Sequence, residues 1–496
     1  MSAKLILTRK QATLIVWIAF VIAVVIRLPQ LFHPLAHHYE SITALELVAI
    51  ESWKQAGGPN KFFGLPPINY QQTGDKQLPN DIDIDTAGNE VYISYGSLWN
   101  LTPYYFFSWL RISPGPIALR LLNICIGLLT CIMVFKLVLL ISADSPLKYT
   151  SASIASAVFV LAPANLWYFC NVYVNCGFAI PFILAFMYWV IKMMTQTSGI
   201  SLSGLIILLL VTASLFLTDW IACFIAATSL ILILFNIKKN RKLLYPMLII
   251  VTGIGGGAAI FVWQAFSLLG SSTAMKNLSG KFLFRTAGLS ASTFSIVKDI
   301  SIHFITAFLP LLVLLILLRL IAFARRKSIQ INTPSKLFYQ ILLPALILYN
   351  LIFLSWTKIH EFSILYYGPV FAIAIGNILP GLFNGKVICI TMLVSTVFCA
   401  AEFYLINPPG TTGFNKVPYD TYKKLGLDIA RRTNKEQVIF SNIRMLPPVT
   451  YYAKRLVTYS NSPEEAKQRL YRFKSDQAVW IDVKNLEVTG IYYLNK

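Results

Sequence analysis

About eleven apolar segments, each close to twenty residues long, constrain the fold of this chain more than any other feature of its sequence. A helix needs about 20 apolar residues to cross the hydrocarbon core of a bilayer. Of the 496 residues, 56% are hydrophobic and 13% are charged, and a soluble core could not bury so much apolar surface. The pattern predicts an all-α polytopic membrane protein with spans at residues 11–31, 117–140, 149–170, 176–194, 200–217, 220–237, 243–268, 300–322, 337–356, 362–382 and 387–406.

The net charge of +21 comes largely from short basic runs between the apolar segments, such as Lys238–Lys242 and Arg325–Lys327. Such runs are typical of cytoplasmic loops beside anionic lipid, so membrane lipid and not nucleic acid is the expected partner. Lys4, Arg9 and Lys10 precede the first span, which predicts a cytoplasmic N-terminus.

Residues 97–112 are apolar but short, and they are rich in Trp and Tyr. If they crossed the membrane, both basic runs would lie outside the cell. We therefore expect them to lie in the interface or to re-enter, which leaves the C-terminal tail extracytoplasmic. The seven cysteines show neither zinc spacing nor a disulfide framework, which favours a bacterial inner (plasma) membrane.

The first outside loop, residues 32–96, is acidic in a basic chain. Residues 40–56 are predicted to form a helix that ends at Gly57-Gly58, with Glu40 at the point where the chain leaves the membrane. The alternation Asp81-Ile82-Asp83-Ile84-Asp85 is similar to a cation loop, but Gly88 is misplaced for a helix-loop-helix calcium site. An acidic surface strand or loop is favoured there, with a bound divalent cation as the alternative, and no other cofactor is assigned.

The tail, residues 408–496, alternates predicted helices with strands at 438–440, 457–459 and 478–481. This order predicts a small soluble α/β domain, distinct from the membrane domain 1–407. The tail has no glycine-rich phosphate loop, so a cap or acceptor-docking role is expected.

Four polar groups are expected on the outer side: His37-His38-Tyr39-Glu40, Asn171–Asn175, Thr218-Asp219-Trp220 and Lys358-Ile359-His360-Glu361. Ionisable groups at membrane depth cost free energy and are candidates for function. The alternatives are that Asp219 caps the next helix and that Lys358 extends to the interface.

Residues 270–298 are predicted to form an outside loop carrying Lys276, Lys281, Arg285 and Lys298. Positive charge on the outer side is contrary to the positive-inside rule, by which Lys and Arg favour cytoplasmic loops. It suggests that this loop binds an anion, such as a lipid phosphate. An ordinary basic loop is the alternative.

This layout resembles the GT-C superfamily of integral-membrane glycosyltransferases, in particular the branch with protein O-mannosyltransferases and the lipid A aminoarabinose transferase. The resemblance rests on an acidic residue opening the first outside loop, the Arg-led second span Ala118–Leu122, the turn Pro163–Asn175, the segment His360–Pro369 and the ending Pro447–Arg455.

The resemblance implies transfer of a hexose or pentose from a polyprenyl-phosphate donor to a glycan, lipid or protein acceptor. It assigns the general base to Glu40; since the family usually has Asp there, His38 is a second candidate. A second family acid aligns near Asn175, and Asp219 is its expected substitute.

A departing phosphate needs cations, and the outside candidates are Lys281, Arg285, Lys358 and His360. His37, Asn175, Glu361 and Tyr366 are the expected substrate contacts, and no residue is assigned to a metal. A single displacement through an oxocarbenium-like transition state would invert the sugar carbon.

Two other functions compete with this interpretation. A transporter would show mid-membrane charges and two similar halves, whereas the predicted spans are largely free of mid-membrane charge and no repeat is evident. An oligosaccharide ligase with a lipid-diphosphate donor would have its large outside loop late in the chain, whereas here it comes first. A non-catalytic scaffold is the third alternative.

Overall fold

The computed structural model describes residues 5–36, 39–79, 83–195, 200–287, 293–327, 332–406, 418–444 and 447–496. In chain order the helices are α1 (Arg9–Leu31), α2 (Glu40–Ala56), α3 (Leu98–Trp109), α4 (Pro116–Ile141), α5 (Lys148–Leu161), α6 (Pro163–Tyr168), α7 (Asn175–Thr195), α8 (Leu202–Phe216), α9 (Ile221–Ile237), α10 (Leu244–Leu269), α11 (Ser271–Ala287), α12 (Thr293–Ala324), α13 (Thr333–Ile352), α14 (Leu354–Ile359), α15 (Gly368–Leu382), α16 (Gly385–Ile406), α17 (Thr421–Arg432), α18 (Pro447–Ala453) and α19 (Pro463–Arg469). The strands are β1 (Val438–Ser441), β2 (Val457–Tyr459), β3 (Gln477–Lys484) and β4 (Glu487–Asn495).

The chain is an integral membrane protein whose described part has eight helices long and apolar enough to span: α1, α4, α7, α10, α12, α13, α15 with the turn before it, and α16. Helices α8 and α9 are shorter and equally apolar. Each of these ten helices matches a predicted span, so the all-α polytopic fold is confirmed.

The predicted span 149–170 is divided into α5 and α6. Ala162 has an extended backbone, with ψ of 139°, and is followed by Pro163. A residue before proline avoids helical geometry, which explains the break. Helix α5 lies in the centre of the bundle, with every residue from Thr150 to Leu161 buried.

The connection predicted as a loop at 270–298 is helical over most of its length. Gly270, with φ of +76°, ends α10, and α11 begins at the next residue. The predicted loop was wrong because the Ser, Thr and Gly content obscured a helical period: Asn277, Lys281 and Arg285 recur every four residues on one face of α11.

The loop predicted to be the first outside loop, residues 32–96, contains α2, which ends at Gly57 in the left-handed conformation, with φ of +89°. The predicted helix 40–56 and its glycine stop are confirmed. Helix α3 has 12 residues and is about 18 Å long, too short to cross a hydrocarbon core of about 30 Å.

The C-terminal residues form a four-stranded sheet in the order β2-β1-β3-β4. The β1 strand pairs in parallel with β2 and β3, and β3 pairs antiparallel with β4. Helices α17 and α18 pack on one face through Ile439 and Val479, and α19 packs on the other through Phe440 and Trp480. The predicted α/β domain is confirmed; the prediction missed β4.

This sheet domain is fastened to the first outside loop. Arg455 donates through Nε to Asp75 Oδ1 at 3.1 Å, and the N–H of Leu456 donates to Asp75 Oδ2 at 3.2 Å. The N–H of Leu35 donates to the hydroxyl oxygen of Tyr452 at 2.8 Å. The domain therefore braces the segment that carries α2.

Candidate active site

Glu40 starts α2 and is 1% exposed. Its Oε1 accepts from Arg120 Nη2 at 2.5 Å, and its Oε2 accepts from the N–H of Ala36 at 2.8 Å. Arg120 Nη1 also donates to the carbonyl oxygens of Leu31 at 2.9 Å and His33 at 2.6 Å. This buried ion pair fixes the angle at which α2 leaves α1.

A cavity of about 260 Å³ lies beside α2, at the end of the bundle that carries the first outside loop. Its lining comes from α2, the loop residues 66–68 and 92–95, α3, the start of α7, α14 and the segment between α14 and α15. Pockets for drug-sized ligands have about 300–1,000 Å³, so this one suits a smaller group such as one sugar ring.

Five residues of this lining have a buried polar atom with no hydrogen-bond partner in the described part of the chain: Glu46 Oε1, Tyr95 Oη, Trp99 Nε1, Trp356 Nε1 and His360 Nδ1. Buried polar groups are normally hydrogen-bonded, so such a concentration calls for an explanation. A ligand with several hydroxyl groups would satisfy it.

Asn175, at the first turn of α7, lines the cavity and joins it to Asp219. Its side-chain amide donates to Asp219 Oδ2. The turn between α8 and α9 carries Asp219, whose Oδ1 accepts from the N–H of Ile221 at 2.9 Å. Burial raises the pKa of Asp219 to about 6, against the lowering effects of Ile221, Tyr366 and Arg285. Asp219 thus bonds the backbone N–H of the first residue of α9, whose N-cap position is Trp220, and it also holds the cavity residue Asn175.

Among the predicted phosphate ligands, His360 lines the cavity itself, and Arg285 of α11 packs against two residues of its wall. Its guanidinium lies 4.5 Å from the ring centre of Tyr95 and 4.6 Å from that of Trp356, and both rings line the cavity. The side chain is 5% exposed, and Nη1 donates to the Ser94 carbonyl oxygen at 3.3 Å. A buried cation stacked on two cavity walls suits an anion held next to the cavity.

The two predicted lysines have carboxylate partners on the surface. Lys281 Nζ lies 2.8 Å from Asp83 Oδ1, and Lys358 Nζ lies 3.6 Å from Asp299 Oδ2. Their charge is therefore partly neutralised, in contrast to the stacked guanidinium of Arg285.

His360 is packed among aromatic rings, 3.8 Å from Trp356 and 4.8 Å from Phe362 between ring centres. Burial, with the charge of Arg285, lowers the pKa of His360 to about 3. The ring is neutral at physiological pH, so it can serve a phosphate as a hydrogen-bond donor and not as the cation that was predicted.

Tyr39 connects the start of α2 to the late segment. Its hydroxyl donates to the Ile359 carbonyl oxygen at 2.8 Å and accepts from the N–H of Glu361 at 3.2 Å. Glu361 Oε1 accepts from the Tyr168 hydroxyl at 3.4 Å. The first and fourth predicted polar groups thus meet, while His37 and His38 lie outside the described residues.

The predicted cation loop has other partners. Asp83 accepts from Lys281 and from Asn277, and Asp85 accepts from the N–H and the side chain of Asn89, each at 2.7 Å. Within the described ranges no group of three His, Cys, Asp or Glu side chains converges as a metal site would require; Asp81 lies outside those ranges.

Sequence reasoning overlooked Glu46 and the pairing of Arg120. Glu46 interrupts the apolar run Ala44–Ile50 of α2, and a lone carboxylate within such a run was a usable signal. The partner of Arg120 lies 80 residues away in sequence, and no local pattern reveals such a contact.

No family model matches the sequence, and no curated protein matches it significantly. Solved structures do match its fold. ArnT from Cupriavidus metallidurans bound to undecaprenyl phosphate has a TM-score of 0.61 at 12% identity, over 96% of this chain and 94% of that chain. The apo oligosaccharyltransferase from Archaeoglobus fulgidus has a TM-score of 0.60 at 9% identity, over 95% and 69% of the two chains.

A further A. fulgidus structure, AglB with an inhibitory peptide and a dolichol-phosphate, has a TM-score of 0.58 at 10% identity, over 95% and 69%. These neighbours are GT-C proteins. The chain therefore has the GT-C fold, and the resemblance predicted from its sequence is confirmed at the level of the fold.

Proposed function

We propose that the chain is a glycosyltransferase that moves one sugar, a hexose or a pentose, from a polyprenyl-phosphate donor to an acceptor outside the membrane. The observation that carries this proposal is the small aromatic cavity with five polar atoms that have no hydrogen-bond partner among the described residues. The hydroxyl groups of a sugar ring would form the missing hydrogen bonds, and the GT-C fold is the fold of the solved neighbours that bind lipid phosphates. Bound undecaprenyl phosphate and dolichol-phosphate in the neighbours support a lipid phosphate as the carrier.

The donor phosphate is assigned to Arg285, with His360 as a neutral hydrogen-bond donor. A guanidinium binds phosphate in a bidentate manner, and its burial here keeps the interaction strong. Lys281 and Lys358 are assigned to the outer approach, since each already pairs with a carboxylate.

In this proposal a carboxylate of the first outside loop deprotonates the acceptor. The acceptor oxygen attacks the sugar carbon, the bond to phosphate breaks on the opposite side, and the configuration inverts. The sequence assigns the base to Glu40. His38 is a second candidate from the sequence, and Asp219, which accepts a hydrogen bond from the cavity residue Asn175, is a third. His37, Asn175, Glu361 and Tyr366 are proposed as further substrate contacts.

The proposal places the cavity on the extracytoplasmic side of a bacterial inner membrane, with the N-terminus in the cytoplasm. The domain from 408 to 496 then acts as a cap over the membrane domain 1–407. Its bonds to the first outside loop, such as Arg455 to Asp75, support this arrangement. The acceptor is a glycan, lipid or protein that reaches this side.

The test is thermal stabilisation of the purified protein by a panel of polyprenyl-phosphate sugars, with Arg285→Ala as the variant. A charge-assisted hydrogen bond contributes about 1.5–3 kcal/mol, so the variant should bind the stabilising donor at least about tenfold more weakly. Lys276→Ala is the matched control, because Lys276 is an exposed residue of the same helix. Stabilisation by a lipid diphosphate or a soluble solute alone would overturn the proposal.

A further inference from the structure

We infer that Glu46, and not Glu40, is the carboxylate that contacts the acceptor and takes its proton. This inference rests on the proposed function and deepens it by assigning one atom of the cavity, Glu46 Oε1, to the acceptor hydroxyl. Both carboxylates belong to α2, but they project from it in different directions.

Glu46 follows Glu40 by six residues, a rotation of about 600° along a helix, so the two side chains point about 120° apart around the helix axis. Glu40 faces Arg120, and each of its oxygens accepts a hydrogen bond, one from the guanidinium and one from the N–H of Ala36. It does not belong to the cavity lining. Glu40 is thus a positioning residue for α2.

Glu46 faces the cavity. It is 1% exposed, and its Oε2 accepts from Asn100 Nδ2 at 2.5 Å. Its Oε1 belongs to the unpartnered polar atoms of the described lining. Asn100 thus holds Oε2 in place, while Oε1 is available to a ligand in the cavity.

The environment of Glu46 also suits a base. Burial raises the pKa of this carboxyl group well above its usual value, while the bond from Asn100 opposes the rise. A general base works best when its pKa lies near the working pH, and enzymes commonly reach this by burying Glu. Glu40, with its guanidinium partner, lacks an oxygen directed at the cavity.

The step balances as follows. The carboxylate of Glu46 takes the proton of the acceptor O–H, and the oxygen forms a bond to the anomeric carbon. The bond from that carbon to the phosphate oxygen breaks, and the lipid phosphate leaves with the electron pair beside Arg285. Glu46 then returns its proton to water or to the departing phosphate.

The first experiment compares Glu46→Gln with Glu51→Gln, the same substitution on the same helix, at a residue outside the cavity lining. Gln preserves the shape of Glu46 and its contact with Asn100. We expect Glu46→Gln to lower turnover by at least about a hundredfold, the usual scale for a lost general base, and to keep donor-induced stabilisation. Glu51→Gln should retain wild-type turnover.

The second experiment is a pH profile, which a structural role would not move. Tyr92, Tyr95 and Tyr173 near Glu46 have pKa values raised by burial, and that of His360 is about 3, so none of these titrates between pH 5 and 8. Asp219, with a pKa of about 6, is the other group near the cavity that could produce an acid limb.

The variant Asn100→Leu distinguishes whether Glu46 or Asp219 produces the acid limb of the pH profile. It removes the bond that lowers the pKa of Glu46, so the acid limb should move to higher pH if Glu46 takes the proton. An unmoved limb, or near wild-type turnover in Glu46→Gln, would overturn the inference. Transfer by the wild type together with an active Glu46→Gln variant would leave the proposed function intact; absence of transfer by the wild type would reject that function itself.

Discussion

Replacing Arg455 by Ala should loosen the cap from the first outside loop more than any surface substitution. Arg455 is 5% exposed and Asp75 is fully buried, so removing the guanidinium leaves an uncompensated carboxylate. Arg455 also donates to the carbonyl oxygens of Asn434 and Gln437, which would lose their partners. Breaking a buried pair in this way costs about 3–5 kcal/mol.

The assay is thermal unfolding in a detergent or lipid nanodisc, run at pH 5 and pH 8. Burial raises the pKa of Asp75 to about 6 even with Arg455 present. In Arg455→Ala the carboxyl group can become neutral by protonation at pH 5, so the loss of stability should be smaller there than at pH 8.

The control is Arg432→Ala, which breaks the exposed pair of Arg432 with Asp428 at 2.8 Å. An exposed pair four residues apart contributes only about 0.3–0.5 kcal/mol. The double variant Asp75→Asn with Arg455→Met should recover the part of the loss that comes from the unpaired buried carboxylate, because it removes both charges, although the carbonyl oxygens of Asn434 and Gln437 still lack a donor. Equal losses in Arg455→Ala and Arg432→Ala would refute the reasoning.

Two further predictions concern the folded state. Because His360 has a folded pKa of about 3 against an ordinary 6.5, its neutral form stabilises the protein above pH 6.5, and this contribution is lost as the pH falls toward 3. At pH 5 the loss reaches up to about 2 kcal/mol, so the melting temperature of the wild type should fall more steeply from pH 7.5 to 5 than that of His360→Gln; parallel curves would contradict this. Gly376→Leu should destabilise by about 1–3 kcal/mol, because a Cβ there would meet the Cβ of Ala155 at 2.7 Å. Gly381→Leu on the same helix, with open space around its Cα, should melt near wild type; similar melting of both variants would show that α5 and α15 are not closely packed.

Much of the fold could be predicted because hydrophobic length and helix-stop signals act locally. The apolar segments, the glycine stop at Gly57 and the strand around Ile439 follow from short stretches of sequence. The helix α11 was missed because its Ser, Thr and Gly residues are weak helix formers. The residues that recur every four positions along it show their purpose only through their contacts with the first outside loop. The break at Ala162 could have been seen from Pro163 alone.

The site was less predictable, because it depends on contacts between distant residues. The sequence identifies Tyr39 and Glu361 as candidates, but it cannot show that they are in contact. The N–H of Glu361 donates to the hydroxyl oxygen of Tyr39 across 322 positions of sequence. The sequence places Glu40 at the start of the predicted helix and Glu46 within an apolar run, and only the contacts with Arg120 and Asn100 show which carboxylate faces the cavity. Burial also determines that His360 is neutral, which composition cannot show.

The most direct measurement of the central claim is donor turnover by the wild-type protein in lipid nanodiscs. Polyprenyl-phosphate sugars labelled in the sugar would be supplied with a mixture of glycan, lipid and peptide acceptors, and release of polyprenyl phosphate would be followed. The account predicts acceptor-dependent release of polyprenyl phosphate from one donor, with the label appearing on the acceptor in inverted configuration. Intact donors across the whole panel, together with turnover of a lipid diphosphate or uptake of a soluble solute, would contradict it.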